Sequence, residues 1–158
     1  MERLVATLSL CLLPVPAAAQ SVGQPIIVSG TCRHQSGVTI DGGETSRFSC
    51  DVAVLSRTQN GTVLIQFTDR SGDDGRILGF AGTIEGRQGF GADSVQTLGV
   101  ERLYLAGGAQ PVPVTRGSCI MNWSGLQRTG GRLTSVVCGA RGIAEGSDVQ
   151  AMVVLDAQ

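Results

Sequence analysis

The sequence predicts an all-β protein, a single antiparallel barrel or sandwich of 7–8 strands with two disulfide-stapled hairpins. Three observations carry that expectation. Apolar residues alternate with polar ones at a period of two, Gly-rich turns separate these runs, and four cysteines beyond the N-terminal region fall into two similarly spaced pairs. No segment shows a convincing long helical pattern.

Residues 1–19 have the layout of a secretory signal peptide. Arg3, offset by Glu2, precedes the apolar run 4–13, then Pro14 breaks it and Ala17, Ala18 and Ala19 supply a cleavage site. The run is too short to cross a bilayer. Cys11 follows Leu10 in mid-run, where a lipid-acceptor cysteine does not sit. The expected mature part is residues 20–158, long enough for one all-β domain. It has no second apolar stretch of spanning length, so no membrane span is expected there, and its expected location is the periplasm or the cell exterior.

Every basic residue is Arg and Lys is absent, which in a chain with 23 Gly reads as GC-rich codon bias and a bacterial source. Charges of both signs are interspersed and nearly cancel. Phosphate recruitment needs a positive field, so nucleic acid is not an expected partner.

The four cysteines are Cys32, Cys50, Cys119 and Cys138. An even number in an exported chain favours disulfides. There is no CxxC pair and His34 is the single histidine, so neither a metal nor another cofactor is expected. Spacing selects among the possible pairings. Gly30-Thr31-Cys32, Ser36-Gly37, Gly42-Gly43 and Cys50 are echoed by Gly117-Ser118-Cys119, Ser124-Gly125, Gly130-Gly131 and Cys138. The echo points to an internal repeat over 30–50 and 117–138, with bridges Cys32–Cys50 and Cys119–Cys138 across neighbouring strands. Each loop of about twenty residues is worth about 3 kcal/mol by the chain-entropy model.

The elements follow in order. Phe48, Cys50, Val52 and Val54 alternate with Ser49, Asp51 and Ala53, which predicts a strand with the first set buried. Asn60-Gly61 supplies the positive φ of a tight hairpin, and 62–68 is the return strand. Residues 69–75 are a polar turn, 77–84 a strand and 85–92 a Gly-rich loop. For 94–105 a strand is favoured over a helix capped by Asp93, because Gly99 interrupts the pattern and the tail is rich in strand formers. Pro111 and Pro113 mark a connector or edge. Strands follow near 117–122, 133–140 and 148–156, the last with Val149, Ala151, Val153 and Leu155 on one face. Closure removes exposed edges, which favours the barrel.

Candidate chemistry is sparse. His34, Ser36 and Asp41 share one short segment, whereas hydrolase triads draw on separate rigid elements. Asp73 and Asp74 are adjacent and point apart, a poor acid–base pair. The 69–75 segment lacks the glycine and the bidentate glutamate of a calcium loop. Met121, Trp123 and Leu126, rimmed by Arg128, are the expected partner-binding contact, because aromatic and Met side chains on a loop bury much area in one pocket. The alternative has Trp123 fold back as a lid on the open end of the barrel. Few aromatics remain after the leader, so aliphatic side chains are expected to fill the interior without an aromatic-lined ligand cavity. The function expected is a non-catalytic binding or envelope-associated module acting through loops on an unknown protein or envelope component. The alternatives are a hydrolase inhibitor presenting a rigid loop and an enzyme without a recognisable motif.

Overall fold

The computed structural model describes residues 23–69, 76–106, 110–125 and 131–158. The expected leader, nearly all of the polar turn 69–75, and Leu126 and Arg128 of the expected contact lie outside them. Among the described residues no helix is long and apolar enough to cross a membrane.

The described strands are β1 (Ile26–Cys32), β2 (Gly37–Ile40), β3 (Ser46–Arg47), β4 (Val52–Arg57), β5 (Val63–Thr68), β6 (Ile77–Phe90), β7 (Asp93–Tyr104), β8 (Val112–Ser124), β9 (Arg132–Ala144) and β10 (Ser147–Ala157). All ten belong to one antiparallel sheet in the order β1-β4-β5-β6-β7-β8-β9-β10-β2-β3, and β1 also pairs with β10. That last pairing, with Thr31 opposite Asp156, closes eight strands into a ring. The barrel-or-sandwich expectation thus meets a single closed sheet, with β2 and β3 as a flap outside the ring.

The 94–105 segment is strand β7, and Asp93 opens it instead of capping a helix. The Gly-rich stretch 85–90, expected as a loop, continues β6 to Phe90. It does so because β7, after a bulge at Glu85, supplies partners from Gly86 to Phe90, the last opposite Asp93. Gly82 permits this, since a side chain there would collide with the Gly99 carbonyl of β7. The Asn60-Gly61 hairpin is present between β4 and β5, with Gly61 at φ 82°.

Phe48, Cys50 and Val52 are buried as expected, but beyond Val52 the expected parity does not hold. Ala53 and Leu55 point into the ring beside Phe67 and Ile65 of β5, while Val54 is only half-buried. The alternation slips at Asp51, whose N–H donates to Thr68 and whose carbonyl accepts from Gly30. One extra residue in a strand path exchanges its faces.

The core fills the ring. Phe67 and Phe80 meet edge to face at 5.9 Å, surrounded by Ile65, Leu78, Leu98, Leu103, Val136, Val153 and Leu155. Val149, Ala151, Val153 and Leu155 are all buried, as the alternation in β10 requires.

Both disulfides are present. Cys119 and Cys138 stand directly opposite in β8 and β9, Cα atoms 4.0 Å apart. Cys32 and Cys50 join the end of β1 to the chain entering β4, Cα atoms 5.0 Å apart. Between Cys119 and Cys138 the chain forms one long hairpin, whereas between Cys32 and Cys50 it leaves the ring as the flap.

The flap exists because β1 and β2 share one edge of β10, and Val154 lies at the fork. Its carbonyl accepts from the Arg33 N–H at 2.8 Å, and its N–H donates to the buried Ser36 hydroxyl at 3.0 Å. Ser36 therefore satisfies a backbone group that neither strand reaches. Outside, Arg33 is paired with Asp156, Nε to Oδ2 2.6 Å, and Arg141 with Asp148, 2.7 Å. These hydrogen bonds hold both carboxyls below the ordinary aspartate range. Phe48, just after β3, turns back into the common core at the flap end of the ring.

Candidate functional site

The ring has two ends, and the strand registers distinguish them. At one end β1 finishes, β4 begins and the flap returns Phe48 to the core. At the other, the starts of β1, β5, β7 and β9 meet the ends of β4, β6 and β8. Here the strands are unequal. Pairing of β6 with β5 stops at Gly82 opposite Val63, while β6 and β7 run on to Phe90 and Asp93.

Unequal strands leave a mouth. A cavity of about 350 Å³ opens there, with a floor and walls that include Leu55, Val63, Ile84, Met121 and Trp123. This is at the lower end of the size range of small-molecule sites. Directly opposed residues of an antiparallel pair share a face, which explains its polar lining. Arg57 is opposite the inward Val63, and Arg87 is opposite the buried Gln96, so both guanidiniums are carried on the inner face of the mouth. Gln24, Ser56, Arg57, Arg87 and Gln96 line the cavity, and none of its described lining residues is Asp or Glu.

Met121 and Trp123 are not on an exposed loop. β8 continues to Ser124, so Cys119, Met121 and Trp123 occupy alternate inward positions. Met121 is 1 % exposed and Trp123 8 %. Their burial corrects the expectation that they anchor a partner at the surface. The missed signal is parity, because a disulfide cysteine at 119 puts 121 and 123 on its own buried face.

Trp123 has a second property. Its Nε1 is buried, and so is the hydroxyl of Ser94, the residue opposite it on β7. Among the described residues neither atom has a hydrogen-bond partner. An unsatisfied buried polar group costs about 1–3 kcal/mol, so two adjacent ones beside a cavity call for an acceptor.

The other sequence candidates do not converge. His34 is exposed on the turn before β2. The Ser36 hydroxyl is committed to Val154, and the Asp41 carboxylate accepts from the Asp148 N–H at 2.7 Å. Among the described residues no group of three or more His, Cys, Asp or Glu side chains is placed to hold a metal ion. Asp73 and Asp74 lie outside the described residues.

No protein-family model, curated protein or solved structure matches this chain.

Proposed function

We propose that this chain is an exported, non-catalytic binding module whose ligand site is the mouth of the ring. One observation carries the reading. A cavity of ligand size is lined by apolar side chains, two guanidiniums and a tryptophan whose N–H has no acceptor among the described residues. Apolar walls with a few convergent polar groups are the general form of a small-molecule site. Two buried or partly buried disulfides and the signal-like leader support an oxidising location, periplasmic or outside the cell.

The test is a fragment screen on residues 20–158 read by amide NMR. Saturable shifts confined to Leu55, Arg57, Val63, Gln96, Met121 and Trp123 are expected. Val63→Phe, which fills the cavity, should weaken every such hit by about tenfold, a loss of about 1.4 kcal/mol. Hits spread over the outer face, or none at the mouth, would overturn the reading.

A second reading, inhibition of a hydrolase by an inserted loop, is favoured by the β6–β7 hairpin. It projects past β5 and carries Phe90, 61 % exposed, next to a turn with Gly91 at φ 63°. A hairpin held in shape before binding loses little entropy on insertion. On this reading Phe90→Ser removes inhibition in a panel of secreted hydrolases and leaves NMR shifts at the mouth unchanged. A wild-type domain that inhibits none of the panel rules it out.

A further inference from the structure

We infer that the mouth takes a neutral organic ligand with an apolar body and a carbonyl oxygen at its inward end, received by the Trp123 indole N–H. The inference rests on the binding-module reading and specifies its ligand class.

Trp123 carries the deciding group. The residue is 8 % exposed and borders the cavity, and its Nε1 is buried without an acceptor among the described residues. Gln24, Ser56 and Gln96 bring acceptor atoms to the same lining, yet none of them bonds that nitrogen. Ser94, opposite Trp123 on β7, adds a buried hydroxyl that also has no partner among the described residues. An indole N–H is a donor only, so an acceptor alone can answer it. Because Nε1 is buried, that acceptor belongs to the inward end of the ligand and not to bulk water.

The surroundings decide which acceptor. Leu55, Val63, Ile84 and Met121 line the same space with hydrocarbon and a thioether. Moving a carboxylate from water to such a wall costs far more than one indole N–H returns, whereas a carbonyl oxygen needs only one or two donors. A hydrocarbon leaves the N–H unanswered. The polar lining is mixed, since Gln24, Ser56 and Gln96 offer acceptors as well as donors, so it imposes no single charge on the rest of the ligand. The cavity, about 350 Å³, exceeds the roughly 150 Å³ that takes up benzene, which leaves room for a substituted six-membered ring.

Trp123 is the single tryptophan of the chain, so one indole N–H cross-peak reports the site. Cyclohexyl methyl ketone, ethylcyclohexane and cyclohexanecarboxylate share a ring and differ in the short arm, which offers a carbonyl, no acceptor or a charge. Each is titrated into the purified nitrogen-15-labelled protein. The ketone is expected to move the indole peak downfield saturably and to bind about tenfold tighter than ethylcyclohexane, a difference of about 1.4 kcal/mol. Cyclohexanecarboxylate should bind more weakly than the ketone. In W123F the advantage of the ketone over ethylcyclohexane should disappear, and the wild-type indole shift tests the same contact without a substitution. Equal affinity of ketone and hydrocarbon, or tighter binding of the carboxylate, would overturn the carbonyl assignment and leave the mouth as a binding site. An indole peak that stays in place while the ketone shifts the Val63 and Met121 amides would do the same. If none of the three shifts the mouth and the fragment screen finds no hit there, the binding-module reading fails as well.

Discussion

Replacing Phe80 with Ala is expected to lower the unfolding free energy by about 3–5 kcal/mol, the range for aromatic truncation in a packed core. Phe80 has no solvent exposure, lies in register between Ile65 of β5 and Leu103 of β7, and meets Phe67 edge to face at an interplanar angle of 83°. The ring offers little room to collapse around the gap, because its strands are fixed to both neighbours by backbone hydrogen bonds. Domains of this size hold about 5–15 kcal/mol in all, so the variant should stay folded with a much reduced margin. Urea denaturation checks it, through a lower midpoint at an unchanged slope. Phe90→Ala is the control. Its ring is mostly exposed at the hairpin tip, and its cost should stay within about 0.5 kcal/mol. Equal losses at the two positions would mean that Phe80 is not a core residue.

That contrast between two phenylalanines shows where the sequence is legible. Phe67, Val149, Ala151, Val153 and Leu155 declare their burial by alternation, because a strand with one apolar face has no other stable orientation. Asn60-Gly61 and the cysteine pairs are equally local signals, one of turn conformation and one of covalent partnership. The parity of β4 beyond Val52 is not legible, since a slip near Asp51 turns Ala53 and Leu55 inward in place of Val54 without altering the composition. The extension of β6 over 85–90 is hidden for a different reason. Its residues are poor strand formers, and only pairing with β7 holds them extended.

The mouth is the least legible feature. Arg57 and Arg87 look like members of a turn and a Gly-rich loop, and nothing local links them. They reach one cavity through two registers, β4 with β5 and β6 with β7, and through the closure of β1 on β10. Such long-range pairings are set by the whole ring and not by the residues beside each arginine. Trp123 was readable in part. Its separation of four from Cys119 fixes its face once the strand is known to continue that far.

Removing either disulfide by a double Cys→Ala substitution is expected to cost about 3 kcal/mol, and removing both about 6 kcal/mol. The two losses should agree within about 1 kcal/mol, because the bridges close loops of nearly equal length, with sequence separations of 18 and 19. In the chain-entropy account the stabilisation acts on the unfolded chain, so where each bridge lies in the native fold has little influence on its size. It has a large influence on reduction. Cys119 and Cys138 are fully buried between two long paired strands, whereas Cys32 is partly exposed where the flap leaves the ring. A thiolate reductant needs access to sulfur, so under native conditions dithiothreitol should open Cys32–Cys50 first and Cys119–Cys138 only when β8 and β9 separate. Alkylation of trapped intermediates, followed by peptide mass analysis, reads the order. Earlier reduction of Cys119–Cys138 would show that the β8–β9 hairpin opens before the flap, and would place the weakest part of the ring beside Trp123 and not at the β1–β10 fork.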